Sequence, residues 1–97
     1  MATYIVLVNF TDQGIRAVKD TTKRADTLRE MAKKFGVTVK QFYWTLGNYD
    51  AVQIHEAPDD VSMAAFLASA GALGNIRTQT LRAFSQAEAN GILAKLD

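Results

Sequence analysis

Three consecutive aromatic residues, Phe42-Tyr43-Trp44, run through Thr45-Leu46 into Gly47-Asn48, and an alternating segment, Tyr49 to Ala57, begins at once. The pattern reads as two strands joined by a two-residue turn. Gly47-Asn48 suits such a turn because both residues tolerate positive φ. The hairpin also gathers much of the chain's chemical functionality: an indole, two phenols, the Asp50 carboxylate and, a few residues on, His55.

The rest of the chain arranges itself around this hairpin. Thr3 to Phe10 is almost continuously apolar and β-branched, which predicts a strand covered on both faces. Thr11 or Asp12 can cap a short helix carrying Ile15 and Val18. From Asp20-Thr21 a second helix has Ala25, Leu28, Ala32 and Phe35 at spacings of three and four, with Met31 beside them, so it buries one face. Lys33 and Lys34 suit its C-terminal dipole, and Gly36 supplies a left-handed stop. The hairpin strands follow as Val37 to Leu46 and Tyr49 to Ala57. Pro58-Asp59-Asp60 ends the hairpin and caps a helix with Met63, Phe66, Leu67 and Ala70 on one side. Gly74-Asn75 closes that helix, and Ile76 to Phe84 reads as a fourth strand. Ser85-Gln86-Ala87-Glu88 is a capping box opening a final helix, whose Ala89, Ile92, Leu93 and Leu96 are expected to form a buried stripe.

The order β-α-β-β-α-β-α predicts one α+β domain over residues 1–97. It is a ferredoxin-like βαββαβ sandwich with an additional C-terminal helix, the first and third strands central and the helices on one sheet face. The other face is left open, and with an apolar first strand and an aromatic hairpin it reads as an interface. A 97-residue chain without cysteine has no disulfide or thiolate metal site to stabilise it. A homo-oligomer, at least a dimer, is therefore expected, burying Phe42, Trp44 and the first strand. No signal peptide and no apolar run long enough for a membrane span are read, which fits a cytoplasmic protein with no membrane partner. Residues 12–40 carry eight basic against four acidic side chains, a net +4, and the remainder is −3. Without an accompanying nucleic-acid motif this is the solvated face of a helix, and no nucleic-acid partner is expected.

Three blocks carry a resemblance. Thr11-Asp12-Gln13-Gly14-Ile15, Phe42 to Asp50 with its Gly47-Asn48-Tyr49-Asp50, and Gly74 to Phe84 with its Gly74-Asn75-Ile76-Arg77-Thr78 resemble the GYD domain family, named for a Gly-x-Tyr-Asp signature. The resemblance covers essentially the whole chain. It implies a bacterial or archaeal protein of dimeric α+β barrel type, and it implies no substrate. Thr21-Thr22 departs from the serine-proline helix start of the family, which bears on capping alone.

Alternation sorts the candidate site residues. On the third strand Val52 and Ile54 suit the helix side, which sends Tyr49, Gln53 and His55 to the open face. On the fourth strand Leu81 and Ala83 suit the helix side, which sends Thr78, Thr80 and Arg82 to the open face as well. Trp44 is placed inward beside Phe42. Apolar walls with a few convergent polar groups are the composition of a small-ligand pocket. The expected ligand-binding set is Arg82, Thr80, Thr78, Gln53 and Trp44, with Arg82 holding a small organic anion in a cavity between sheet and helices or between two sheets. The alternative for these residues is a polar subunit interface. His55, the single histidine, is a candidate general base with Tyr49 or Arg82, and the alternative for it is a structural histidine. Lacking a second histidine or a cysteine, it makes no metal site, and no cofactor is expected. Asp50, at a strand start, suits a carboxylate that bonds backbone N–H groups. Three functions stay open on the sequence: a small-molecule-binding or regulatory module, a small cofactor-independent oxygenase or isomerase, and a purely structural interaction protein.

Overall fold

The computed structural model describes residues 1–96. Strand β1 (Ala2–Phe10) is central, flanked by β3 (Ala51–Ala57) and β4 (Ile76–Ala83), and β2 (Thr38–Trp44) lies outside β3. The sheet order is β2-β3-β1-β4 and every pairing is antiparallel. Helix α1 (Asp12–Arg16), a 3-10 turn at Val18–Asp20, and α2 (Thr21–Lys34) connect β1 to β2, and α3 (Asp60–Ala72) connects β3 to β4. Helix α4 (Gln86–Leu93) follows the sheet. This is the ferredoxin-like α+β arrangement that the pattern of elements predicts.

The helix boundaries are set by the residues that satisfy orphan backbone groups. The Thr11 hydroxyl accepts from Gly14 N–H at 3.1 Å and the Asp59 carboxylate from Ser62 N–H at 2.8 Å. That Ser62 bond holds the Asp59 carboxyl below its usual range. Gly36 and Gly74, with φ of 74° and 87°, end α2 and α3 in the left-handed conformation. The hairpin turn is wider than two residues. β2 stops at Trp44 and β3 starts at Ala51, so Thr45 to Asp50 form the connection. It is closed by Thr45 N–H to Asp50 O at 3.0 Å and by the Thr45 hydroxyl to Tyr49 O. Gly47 alone takes positive φ there, so Asn48 does not complete the expected turn.

The core lies between the sheet and helices α2 and α3. Tyr4, Val6 and Val8 of β1 meet Met63, Phe66 and Ala70 of α3, with Ala32, Val37, Ala51 and Ala57 in the same buried cluster. The Tyr4 hydroxyl donates to Asp60, tying the start of α3 to the central strand, and this bond raises the Tyr4 pKa.

The face assignment read from alternation is inverted. Ala51, Gln53, His55 and Ala57 are the buried residues of β3, on the helix side, whereas Val52 and Ile54 are only half-buried on the open face. Phe42 and Trp44 pair with Gln53 and Ala51, and Thr78, Thr80 and Arg82 pair with Val8, Val6 and Tyr4, so all of these share the helix side. Tyr43 and Leu81 occupy the open face instead, beside Ile5, Leu7, Val52 and Ile54. Polarity misled because the bulkier apolar residues Val52, Ile54 and Leu81 lie on the open face. Ala51, Gln53, His55 and Ala57 lie under the helices despite their small or polar side chains, and His55 Nε2 meets Gln53 Oε1 there. The open face therefore carries Ile5, Leu7 and Tyr43, while Phe42 and Trp44, expected in a subunit interface, lie on the helix side.

Helix α4 begins as expected, with both capping-box bonds formed between Ser85 and Glu88. Its apolar stripe is not buried: Ile92, Leu93 and Leu96 are 45%, 60% and 67% exposed. The helix follows the end of edge strand β4, and it contains no buried residue. Ser85→Ala is expected to cost about 1 kcal/mol of α4 stability, the usual loss for an N-cap. Because α4 carries little packing, the loss should appear as faster amide exchange within residues 86–93. A global melting temperature that falls with it would show that α4 docks more firmly.

Candidate functional site: a cavity between helices and sheet

A cavity of about 270 Å³ lies on the helix side of the sheet. Its sheet wall is made by Val8, Phe10, Phe42, Ala51 and Gln53. Helix α2 covers it with Thr21, Arg24, Ala25 and Leu28, and Ala70, Leu73, Asn75 and Ile76 close it from α3 and the start of β4. Three of these wall residues are alanines, each buried, and their short side chains leave the space between layers. The polar complement is sparse: Gln53 on the sheet, with Asp20, Thr21, Lys23, Arg24, Thr27 and Asn75 supplied by α2, the turn before it and the α3–β4 connection. That distribution, mostly apolar with a few polar groups, is the character of a small-ligand site.

Several residues shape the cavity from behind. Trp44 stacks on Phe42 with ring centroids 4.5 Å apart, and its Nε1–H donates to the Thr21 hydroxyl at 3.0 Å. It thereby braces β2 against the start of α2. Arg24 lies over the Phe10 ring, 5.8 Å from the centroid, and donates to Ala17 O at 2.8 Å and Gly14 O at 3.2 Å. This guanidinium fixes the path of the chain from α1 into α2. Sequence reasoning missed Arg24 as a site residue. Its signal was there as the one arginine in the basic stretch placed beside the buried Ala25, but the stretch as a whole reads as a solvated face. Elsewhere in the stretch Arg29–Asp26 and Lys33–Glu30 are exposed pairs one helical turn apart.

Gln53 and His55 form a buried polar pair, with His55 Nε2 2.6 Å from Gln53 Oε1. The His55 ring packs 5.7 Å from Phe66. Burial alone drives its pKa down from the ordinary 6.5 to about 4, so the ring is neutral near pH 7. Among the described residues His55 Nδ1 and the Thr80 hydroxyl are buried without hydrogen-bond partners.

Of the expected ligand set, Gln53 lines the cavity and Trp44 braces it, while Thr78, Thr80 and Arg82 are not among its walls. The two polar rows do share one face and do flank β1 across Val6 and Val8, as the sheet order requires. Arg82, however, is already engaged. It donates to the carbonyls of Thr3 and Ala83, lies 4.5 Å from the Phe84 ring centroid, and approaches Glu88 at 3.6 Å. The Glu88 carboxyl is held below its usual range first by Ser85 N–H and further by Arg82. Arg82 thus joins β4 to the capping box of α4 and does not present a free charge to the cavity. Tyr49 is parted from His55: its hydroxyl donates to Gln79 at 3.1 Å, and Gln79 pairs with Leu7 of the open face. Neither pairing of His55, with Tyr49 or with Arg82, comes together as an acid–base couple.

The three blocks that carry the family resemblance meet at one corner beside the cavity. Thr11 N–H donates to Asn75 O and the Thr11 hydroxyl to Gly74 O, while the Gln13 amide reaches Leu73 O and the Asn75 side chain. Asp50 accepts from Phe10 N–H at 2.8 Å and donates its own N–H to Val8 O, the backbone role expected of it. These contacts lock the end of β1 to its neighbours where Phe10, Leu73, Asn75 and Ile76 border the cavity.

Fold and corner together define a small ferredoxin-like α+β domain whose signature residues organise one end of a helix–sheet cavity. The chain belongs to the GYD domain family, whose model matches residues 4–93. A relative from Thermus thermophilus, named glutamine synthetase and cystathionine beta-lyase binding protein, is 35% identical over 89 residues, covering 91% of this chain and 94% of the relative. The crystal structure of TTHA0845, also from Thermus thermophilus, is similar with a TM-score of 0.57 and 24% identity, over 88% of this chain and 95% of that one. The second likeness bears on fold alone.

Proposed function

We propose that this protein is a binding and regulatory module that holds a small organic molecule in the helix–sheet cavity and engages another protein through its surface. The cavity carries the reading, since its apolar walls and the buried Gln53 amide are the parts a ligand site needs. Its volume lies just under the roughly 300–1,000 Å³ of common ligand pockets, so the ligand is small. The name of the Thermus thermophilus relative, a binding protein for two enzymes, supports a protein partner. Native mass spectrometry of protein purified from its own source is expected to show a bound small molecule. Leu28→Trp, which fills the cavity from α2, should release it. An empty cavity in native protein, with an unchanged mass in the variant, would remove the ligand from this reading.

A second feature supports self-assembly. Ile5, Leu7, Tyr43, Val52, Ile54 and Leu81 form an apolar face on the uncovered side of the sheet, and such a face marks an interface. Covering it with the same face of a second copy gives a dimer. Light scattering at micromolar concentration is expected to show at least a dimer, and Ile54→Lys to yield a monomer. A wild-type protein that is a stable folded monomer would refute the assembly.

A further inference from the structure

We propose that Gln53 presents its amide N–H groups to the cavity and selects a ligand with a neutral carbonyl oxygen on a compact apolar body. This rests on the reading of the cavity as a ligand site and names the chemistry that the site recognises.

The argument starts from the histidine behind the glutamine. His55 Nδ1 is sealed in the core with no partner among the described residues, while Nε2 lies 2.6 Å from Gln53 Oε1. A neutral imidazole carries its proton on one of these atoms. If Nδ1 held it, a buried N–H donor would have no acceptor. If Nε2 holds it, the only unsatisfied group is an acceptor lone pair. Orphaned buried donors are rarer in folded proteins than under-satisfied acceptors, and an unmade donor bond carries its desolvation cost. Nε2 therefore donates, and Gln53 Oε1 accepts.

This fixes the amide. With its oxygen turned to His55, Gln53 keeps both N–H donors on the other branch, and they meet no acceptor among the described residues. The residue is only 4% exposed, and the space it borders is the cavity. Its cross-strand neighbours Val6 and Phe42 offer no side-chain acceptor, and the acceptors that the cavity carries, Asp20, Thr21, Thr27 and Asn75, make no hydrogen bond to it. A ligand oxygen is what these donors lack. Among the described residues no charged side chain bonds Gln53: the cavity's charges, Asp20, Lys23 and Arg24, come from α2 and the turn before it, and Arg24 is held by the Ala17 and Gly14 carbonyls. A carboxylate placed on Gln53 would lose hydration without a charged donor bonded at that point. A carbonyl loses far less and accepts the same bond. His55 is the positioning residue in this arrangement and does not touch the ligand.

The test is a ¹H–¹⁵N NMR titration of the full chain with acetophenone, with α-methylstyrene, which replaces the carbonyl oxygen by a methylene of similar shape, and with benzoate. Acetophenone is expected to shift resonances of cavity residues and to bind more tightly than benzoate. The ratio of acetophenone to α-methylstyrene affinity is expected to fall about ten-fold in Gln53→Leu, the effect of one hydrogen bond of ordinary strength. Using the ratio removes the difference in hydrophobicity between the probes. An unchanged ratio, with both probes still in the cavity, would overturn the role of Gln53 and leave the cavity a ligand site. Stronger binding of benzoate would overturn the neutral head group. Absence of cavity shifts with every probe would overturn the ligand site and this inference with it. A measurement on unsubstituted protein stands beside the variant in case Gln53→Leu folds poorly. Long-range ¹H–¹⁵N correlation should show His55 protonated on Nε2, and protonation on Nδ1 would turn the amide oxygen to the cavity and overturn the proposal.

Discussion

Gly14→Ala is expected to lower the melting temperature by about 15 °C, because its added β-carbon meets the closest obstacle of any glycine in the chain. A β-carbon on Gly14 would lie 2.0 Å from the Asn75 carbonyl oxygen and 2.9 Å from its carbonyl carbon. The obstacle is backbone, so no side chain can rotate out of the way. Relief requires α1 to move from the α3–β4 corner, which strains the Thr11 and Gln13 bonds to residues 73–75. Overpacking of this kind costs roughly 1–3 kcal/mol and sometimes more. At about 4–8 °C per kcal/mol for a domain of this size, a loss near the upper end gives the expected shift. Gly71→Ala in α3 is the control, because a β-carbon there meets nothing within 4 Å. It should be neutral or stabilise by up to about 1 kcal/mol through the unfolded chain. Thermal melts of the two variants decide the matter. Equal melting temperatures would mean that the corner yields without cost.

The fold was legible because its signals are local. Caps at Thr11, Asp59 and Ser85 and left-handed stops at Gly36 and Gly74 set where helices begin and end, and each depends on a few neighbouring residues. Strand order followed from connectivity and handedness. What could not be read locally was which face of the sheet the helices cover. Alternation groups Gln53 with His55 and Val52 with Ile54, but it leaves open which group lies inward. Hydrophobicity pointed the wrong way here, because Val52 and Ile54 face the side that a partner would cover.

The site was half legible for the same reason. Gln53 was found, and Phe42 and Trp44 were placed beside one another, since these relations survive a change of face. Arg82 was read as a free charge because its partner, Glu88, belongs to the capping box of the next helix, and a cap glutamate that also meets an arginine is a tertiary fact. The cavity itself arises from what is missing, three alanines in facing walls, and no single one of them signals a space. Arg24 acts through backbone carbonyls ten and seven residues earlier, which sequence pattern does not display.

Stability is expected to fall steeply as pH drops from 6.5 to 4, by about 3 kcal/mol, and His55 is the cause. Its folded pKa is pushed down to about 4, against 6.5 for an unperturbed imidazole. Between these values the unfolded chain binds a proton that the folded chain excludes. The unfolding free energy therefore rises with pH across the window, is fully present above 6.5, and is lost as pH falls through it. A depression of this size at about 1.4 kcal/mol per pKa unit gives the stated loss. The groups packed on the ring are Phe66, Gln53 and the neighbouring Tyr4, none of them a carboxylate that could hold the imidazolium. His55 is the only histidine in the chain, so the interval above pH 5 is free of other imidazoles. Carboxylates such as Asp59 and Glu88, held below their ordinary range, begin to weaken the fold as pH falls to the ordinary carboxylate range, so the slope between pH 5 and 6.5 is the one that reports His55. Urea unfolding at intervals between pH 4 and 7 measures the slope, and the His55 ring signals in folded protein report its protonation directly. A flat profile, with the ring titrating near 6.5 in the native state, would show that His55 is open to water. The sealed core and the fixed Gln53 amide would then both have to be abandoned.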